Sequence, residues 1–266
     1  SKYTQSNLSD IFIQIKNLLK NETQVLFSGT PCQVMGLRRY LRKDYPNLYT
    51  IENICHGVAS PIVWDEYLKE KLEQLGNNSA TINYVTFRDK SFGWSNYGLH
   101  VQALDINTGK YYEVIHNSNK NDLFMRGFLN SLFTRPSCAN CPARHFKSNG
   151  DITIGDCWGV EKCYPDAKIA NGLSVVITTT EKGKKLFDDI KDFTEYFEMN
   201  FEEVEPNGIH SPLYHSTPSH PNRNHFFTQF KHGSLQRRIY KEIIYGEIRD
   251  NIILKTKKIF KLLFGT

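Results

Sequence analysis

The chain has 266 residues, of which 39% are hydrophobic and 23% are charged, and its formal net charge is +5. This balance predicts a folded globular chain with ample material for a core, and it excludes a disordered protein and a small disulfide-stabilised secreted domain. No apolar run reaches the roughly 18–20 residues that a bilayer-spanning helix needs. The charge is uneven, because residues 231–266 hold nine Lys or Arg against three Asp or Glu. We therefore expect a nearly neutral body and a basic tail.

The first part of the chain alternates predicted helices and strands. Apolar residues at helical spacing predict a helix over 8–20, and a short apolar run predicts a buried strand over 24–28. Thr30 and Pro31 are the residue types preferred at the N-cap and first position of the next helix. A second strand is predicted over 48–54. Such a βαβ pattern places its two strands parallel in one sheet.

The middle of the chain changes to alternating polar and apolar residues, which predict an antiparallel meander. Its strands are expected over 81–88, 97–105 and 110–115. The other predicted elements are helices over 61–75, 121–130 and 181–190, strands over 151–155 and 173–179, an irregular stretch over 206–225 and a largely helical end over 222–266. The expected fold class is α/β with α+β elements: a parallel βαβ sheet with an inserted antiparallel β-meander and a helical C-terminus.

Two domains are expected, a core over 1–200 and an irregular segment with a basic helical tail over 201–266. The amphipathic end of that tail fits a cover for its own domain or a partner subunit better than contact with anionic lipid. Because the chain starts with Ser1 and not Met, we expect an N-terminal portion to be missing.

Four of the six cysteines form the main candidate site. Cys32 and Cys55 each follow the end of a predicted parallel strand, so both belong to the sheet edge where open α/β sheets build their sites. Cys138 and Cys141 form a C-x-x-C pair followed by Pro142, a spacing that brings two thiolates to one side of a turn. The sequence therefore predicts a shared metal centre, and four thiolates suit either zinc or an iron–sulfur cluster.

Cys157 and Cys163 could each replace one of the four ligands, as reserve candidates. The alternative is that both are free thiols that bind no metal. Six cysteines in a chain of this size do not indicate a disulfide framework. A reducing, cytoplasmic setting with metal-bound thiolates fits better.

A few residues are candidates for cofactor binding. Gly29, Thr30 and Pro31 could hold a dinucleotide phosphate with the N–H groups of the helix that follows, but a tight turn explains the same residues equally well. Asp151 and Asp156 each follow a glycine and are candidates for contact with a flavin or its ribose. Gly-Asp pairs are also ordinary turn formers.

Five segments occur in order along the chain: LFSGTPCQVMGLRRYL, NICHGVASPIVWDEYL, FRDKSFGW, RPSCANCPAR and DITIGDCWGVEK. Together they resemble the beta subunit family of coenzyme F420 hydrogenase/dehydrogenase, over about residues 25–227. A plant reductase of hydroxymethyl chlorophyll is similar, so the resemblance does not fix the substrate.

The resemblance implies an iron–sulfur flavoprotein that binds FAD and a 4Fe–4S cluster. It would pass electrons between a ferredoxin, or a ferredoxin-like domain or subunit, and a deazaflavin or another small substrate. The cysteines that match the family motifs are Cys32, Cys55, Cys138 and Cys141, and this match favours iron–sulfur over zinc. The family's N-terminal segment and the ferredoxin-like domain of many bacterial relatives are expected to be absent.

Three basic residues, Arg88, Lys90 and Arg135, are candidates to steady flavin phosphates or an acidic substrate. No contact with nucleic acid is expected. The alternative function is a non-catalytic module, stabilised by zinc or a cluster, that docks a partner enzyme.

Overall fold

The computed structural model describes residues 3–166, 171–201 and 211–244. Strands β1 to β7, in chain order, are Val25–Gly29, Leu48–Asn53, Ala80–Asp89, Gly98–Asp105, Tyr111–Ser118, Ile152–Asp156 and Ser174–Thr178. Helices α1 to α7 are Ile11–Lys20, Pro31–Leu41, Pro61–Leu75, Leu123–Leu129, Glu181–Asp188, Ser211–Tyr214 and Arg223–Thr228. A further helix occupies residues 235–244. The amphipathic tail segment, 252–264, lies outside the described residues.

The chain divides into two compact units. The meander unit consists of Ser1–Gln5, Gly57–Pro136 and Pro218–Thr266, and the cysteine unit consists of Ser6–His56 and Ser137–Thr217. All six cysteines belong to the cysteine unit. The two domains expected from the sequence, 1–200 and 201–266, stay a prediction.

The cysteine unit is built on a four-stranded sheet with the order β1-β2-β6-β7. Strand β2 runs parallel to both β1 and β6, and the edge strand β7 runs antiparallel to β6. Because α2 connects β1 to β2, the predicted βαβ unit is confirmed. Its core joins Ile15 and Leu19, one turn apart on α1, to Val34 and Leu37 on α2. Burying each such side chain stabilises the fold by about 1.5–3 kcal/mol.

The meander unit contains the antiparallel sheet β3-β4-β5, which confirms the predicted inserted meander. The inward residues of β4 alternate along the strand, and Leu99, Val101 and Ala103 are fully buried. Tyr67 of α3 and Phe124 of α4 belong to the same apolar core. The other face of β4 includes the polar side chains of His100 and Gln102.

The helical C-terminus is also confirmed within the described residues. Leu235, Ile239 and Ile243 repeat at every fourth position of the last described helix and enter the core of the meander unit, as does Phe226 of α7. Helical periodicity therefore gives this helix one buried face. Among the described residues, every helix is too short or too polar to cross a lipid bilayer.

Candidate functional site

Cys32 and Cys55 leave the sheet of the cysteine unit at the same edge. In the parallel register of β1 and β2, Gly29 is paired with Glu52, and each cysteine lies three residues after its own member of this pair. Neighbouring parallel strands end side by side, so the two loops start next to each other. This juxtaposition follows from the βαβ topology.

Cys32 lies in the first turn of α2, where its side chain is exposed. Thr30 is the N-cap of this helix, and Gln33 Oε1 accepts a hydrogen bond from the Thr30 backbone N–H at 2.9 Å. Thr30 Oγ1 lies 3.2 Å from Cys32 Sγ. The first turn of a helix favours anionic groups, and a thiolate there is the form that binds metal.

The C-x-x-C loop is held by contacts from distant parts of the cysteine unit. Cys138 lies in the short 3-10 turn Pro136–Asn140, and Cys141 follows it directly. The Cys141 backbone N–H donates to Ser216 Oγ at 3.0 Å. Both thiols are half-buried, as is that of Cys55. The two cysteines are therefore partly shielded from water and still reachable by a ligand.

Arg144 ties the C-x-x-C loop to the loop of Cys55. Its side chain is buried, and its Nη1 donates to the backbone oxygen of Cys55 at 2.8 Å. The same nitrogen donates to the backbone oxygen of Pro212. One guanidinium thus joins three segments that are remote in sequence. Arg144 is the last residue of the motif RPSCANCPAR, so the sequence marks it as part of the site. Its carbonyl partners cannot be predicted from the sequence.

The stretch 212–217 covers these loops. The His145 backbone N–H donates to the carbonyl of Leu213 at 2.8 Å, and Thr217 Oγ1 lies 3.4 Å from His56 Nδ1. His145 and Phe146 both have left-handed backbone conformations, with φ of 58° and 56°. Two adjacent non-glycine residues of this kind are uncommon and are tolerated where surrounding contacts hold them. The loop after the C-x-x-C pair is therefore specified by its neighbours.

Four thiolates suit either zinc or an iron–sulfur cluster, and the two centres differ in the separation of their sulfurs. Among the described residues, no three cysteine sulfurs lie within 4.8 Å of one another. Four thiolates around one zinc ion, with Zn–S bonds of roughly 2.3 Å in a tetrahedron, would lie about 3.8 Å apart. A cluster holds its thiolates on separate iron atoms and accommodates a wider spacing.

Cys157 is ill suited to be a metal ligand. Its side chain is fully buried and packs with Val160 and Val175. Burial, with a smaller contribution from Glu161, raises the pKa of this thiol to about 11. Metal ligands are thiolates, and burial disfavours the thiolate form of this side chain. Cys163 is half-buried, and its role as a reserve ligand stays a prediction.

The cofactor candidates of the cysteine unit are strongly held by the protein itself. Asp151 is buried and accepts hydrogen bonds from the Thr50 backbone N–H at 2.8 Å, from Thr180 Oγ1 at 2.8 Å and from Arg38 Nη2 at 3.2 Å. Its carboxylate therefore joins β2, α2 and the residue that caps α5. Asp156 is half-buried at the end of β6. Contact of either residue with a flavin stays a prediction.

The other cofactor candidates divide between the units. Gly29, Thr30 and Pro31 form the turn from β1 into α2 in the cysteine unit. The three basic candidates, Arg88, Lys90 and Arg135, belong to the meander unit. There the Arg88 guanidinium lies 3.9 Å from the centre of the Tyr97 ring. A role for these residues at a flavin phosphate stays a prediction.

The sheet of the cysteine unit also carries a cavity of about 740 Å³. It is lined by apolar and aromatic side chains that include Ile154, Val176, Phe187, Tyr196 and Phe197. Ligand sites typically measure about 300–1,000 Å³ and are mostly apolar. This cavity therefore has the size and lining of a cofactor pocket, and nothing in the sequence pattern had predicted it.

Glu52 is a buried carboxyl on β2, three residues before Cys55. It is 2% exposed, and its Oε2 has no hydrogen-bond partner among the described residues. Burial raises the pKa of this carboxyl above its ordinary value of 4.5, although hydrogen bonds and Arg38 act in the opposite direction. Folding therefore shifts this carboxyl towards its protonated form relative to the unfolded chain.

A Glu52→Gln variant should show a weaker loss of stability with rising pH than the wild type. A group whose pKa is raised by folding adds stability below its unfolded pKa and loses it as the pH rises through the folded pKa. The amide carries no charge at any pH. Urea unfolding at about pH 4 and about pH 8 checks this, with a relative gain for the variant only at the higher pH. Parallel stability curves for both proteins would contradict the prediction.

A comparison with protein families agrees with the resemblance noted in the sequence. The family model for the C terminus of the beta subunit of coenzyme F420 hydrogenase/dehydrogenase matches residues 22–203. A solved structure, the xenon-derivatised F420-reducing [NiFe] hydrogenase complex from Methanosarcina barkeri, aligns with 15% identity and a TM-score of 0.43. That alignment covers 88% of this chain and 70% of the other chain. No curated protein matches the sequence.

Proposed function

Because the chain belongs to the family of coenzyme F420 hydrogenase/dehydrogenase beta subunits, we propose that it is an iron–sulfur flavoprotein oxidoreductase. The family is one of redox proteins, and the proposal assigns this chain a 4Fe–4S cluster and FAD. Electrons would pass between a ferredoxin-type partner and a deazaflavin or another small substrate. The proposed setting is the reducing cytoplasm, where metal-bound thiolates persist.

The observation that carries the proposal is the arrangement of four cysteines on three loops of one unit. The proposed cluster ligands are Cys32, Cys55, Cys138 and Cys141. Two of these loops leave adjacent parallel strands, and the side chain of Arg144 bonds the third to the carbonyl of Cys55. Four thiolates suit either zinc or a cluster, and the choice of a cluster rests on the family match.

The chain's own groups would position and tune this centre. A cluster carries single electrons, and a flavin exchanges pairs of electrons as hydride as well as single ones. Thr30 Oγ1 lies 3.2 Å from Cys32 Sγ and also donates to Gln33 Oε1 at 3.2 Å. Hydrogen bonds to cluster sulfurs and solvent exclusion are the means by which a protein sets the cluster potential. Cys55, Cys138 and Cys141, all half-buried, are partly shielded from water.

The flavin part of the proposal is supported by the cavity of about 740 Å³ on the sheet of the cysteine unit. Its aromatic lining, with Phe187, Tyr196 and Phe197, offers flat surfaces for a ring system. The turn Gly29–Pro31 is the proposed phosphate contact, because it opens the helix α2. Asp151 and Asp156 are the proposed flavin contacts. The main effect of Asp151 would be to hold the strand β2 and the helix α2 in position.

The test is cofactor analysis of the protein purified without oxygen. We expect about four iron and about four sulfide per chain, together with flavin released on denaturation. The preparation should be brown-yellow. A colourless protein that contains zinc in place of iron would overturn the proposal and favour the docking module. Iron and sulfide without flavin, even after incubation with FAD, would overturn the flavin part alone.

A further inference from the structure

Two histidines face each other on the polar side of the meander sheet. His100 of β4 and His116 of β5 are direct cross-strand partners, and their rings stack with centroids 4.4 Å apart. Both side chains are partly buried, with 18% and 30% of their surface exposed. The ring of Phe92 lies 5.0 Å from that of His116, and the ring of Tyr84 lies 5.5 Å from that of His100. The pair is thus fixed by both backbone pairing and flanking rings.

Two irregularities in strand pairing bring carboxylates to the same face. On β3, Thr86 is paired with His100, and the next pair is Asp89 with Gly98. In a regular ladder Arg88 would be the partner of Gly98. Because β3 holds one extra residue here, Asp89 takes that position and lies on the same face as the histidines. A bulge of this kind redirects a side chain and is frequent beside functional sites.

The second irregularity lies on β5. Val101 is paired with Ile115, and the next pair is Gln102 with Glu113. Val114 is passed over and packs against the core, so Glu113 takes the position on the histidine face. Regular alternation would have put Glu113 and His116 on opposite faces. Two separate bulges thus place one carboxylate on each side of the histidine pair.

Asp89 faces one nitrogen of each ring. Its Oδ2 lies 2.8 Å from His116 Nε2 and 3.5 Å from His100 Nδ1. The three ligand atoms lie within 4.8 Å of one another. Ligands bound at roughly 2.0–2.2 Å to one metal ion are separated by about 3–3.6 Å. The three atoms therefore need little movement to share an ion.

The other oxygen of Asp89 is already occupied. The Ser91 backbone N–H donates to Asp89 Oδ1 at 2.9 Å. This backbone donor is the largest cause that holds the pKa of the Asp89 carboxyl below its ordinary value. Oδ2 is left to face the two ring nitrogens.

Glu113 faces the opposite nitrogen of each ring. Its Oε2 lies 3.3 Å from His116 Nδ1 and 3.7 Å from His100 Nε2. The buried His100 Nε2 has no hydrogen-bond partner at standard geometry among the described residues. Metal-bound histidines usually direct their second N–H to a carboxylate, which fixes the tautomer. Glu113 has the position of such a carboxylate for both histidines.

One tautomer of each ring suits a cation. His116 Nε2 lies 2.8 Å from Asp89 Oδ2 and 3.1 Å from Ser91 Oγ, and the other nitrogen of each ring faces Glu113. When the N–H groups of both rings point to Glu113, His100 Nδ1, His116 Nε2 and Asp89 Oδ2 all present lone pairs to the space between them. A divalent cation there would be bound by all three atoms.

We propose that Asp89, His100 and His116 form a binding site for a divalent first-row transition metal, with Glu113 as the residue that orients both histidines. Two imidazoles and one carboxylate suit zinc or iron(II) and disfavour magnesium and calcium, which take oxygen ligands. The three protein ligands leave one coordination position for water or a small ligand. The site belongs to the meander unit and goes beyond the proposed redox function, because it uses none of the cysteines.

The experiment uses the full chain, loaded with its cluster in the absence of oxygen. Zn²⁺ alone is titrated into this protein, and the heat of binding is measured. The wild type should bind one zinc ion that His100→Ala and His116→Ala variants lose. Glu113→Gln should bind it about 10–100-fold more weakly, as expected for a carboxylate that orients metal-bound histidines. His232→Ala, at an exposed histidine of the same unit, is the matched control and should bind like the wild type.

Thiol-bound zinc is recognised separately. X-ray absorption of the bound zinc should show nitrogen and oxygen neighbours without sulfur, and Mg²⁺ should not compete. Zinc binding that is equal in the wild type, His116→Ala and Glu113→Gln, or zinc with sulfur neighbours only, would overturn the proposal. Should an alanine variant fail to fold, the affinity of the conservative Glu113→Gln variant decides.

Discussion

A chain with Cys141 replaced by Ser should lose most of its iron when purified without oxygen, from about four atoms per chain towards zero. The loop of Cys141 is anchored through its backbone N–H to Ser216, so the substitution leaves the loop in place and removes only the sulfur. Three remaining thiolates would then face an iron atom without its protein ligand. Because metal binding contributes to folding, the unfolding temperature of the anaerobic protein should fall as well.

The matched controls are the two cysteines outside the proposed ligand set. Cys163→Ser should keep its iron. Cys157→Ser should keep iron too, although it puts a hydroxyl into an apolar cluster and should lower stability by about 1–3 kcal/mol. Iron and sulfide analysis on the three variants separates the cases. Equal iron in Cys141→Ser and the wild type would remove Cys141 from the ligand set, and loss of iron in Cys163→Ser would put that residue into it.

The sheet edge of the cysteine unit was predictable because its signals are local. A buried strand followed by Thr30 and Pro31 specifies a strand, an N-cap and a helix within a few residues. The handedness and direction of βαβ connections then place the next strand parallel to the first. The positions of Cys32 and Cys55 followed without any knowledge of long-range contacts.

The contacts that hold the site were not predictable, because they join residues far apart in sequence. Arg144 bonds a carbonyl that belongs to Cys55, and a carbonyl leaves no trace in side-chain patterns. The stretch 212–217 lies within 206–225, which the Pro, Ser, His and Asn content predicts to be irregular, yet helices occupy Ser211–Tyr214 and begin at Arg223. Its Ser216 and Thr217 nevertheless contact the loops of Cys141 and Cys55. Composition indicates a lack of regular structure and says nothing about what such a segment covers.

The histidine site of the meander was missed for a different reason. Simple alternation along β5 assigns Glu113 and His116 to opposite faces. Alternation along β3 puts Arg88 on the face of His100, whereas in the structure Asp89 takes this position. A single bulge reverses the assignment of every residue beyond it. The sequence predicted these strands correctly, but a pattern of period two cannot reveal where the period is broken.

Replacing Arg144 by Met should weaken the site more than any substitution of an exposed basic residue in the same unit. Arg144 is 7% exposed, and its Nη1 donates to the carbonyls of Cys55 and Pro212. Met keeps the apolar stem of the side chain but leaves both carbonyls without this donor. Each hydrogen bond from a charged group contributes about 1.5–3 kcal/mol, so losing two should lower stability by about 3–6 kcal/mol.

The decisive readout is the rate at which a chelator removes iron from the anaerobic protein. Residues that orient metal ligands typically change metal affinity by about 10–100-fold, so iron loss from Arg144→Met should be faster by a similar factor. Arg39→Met, at an exposed position on α2, is the matched control and should match the wild type in both iron loss and stability. An Arg144→Met chain that is less stable but loses iron at the wild-type rate would show that Arg144 supports the fold without positioning Cys55.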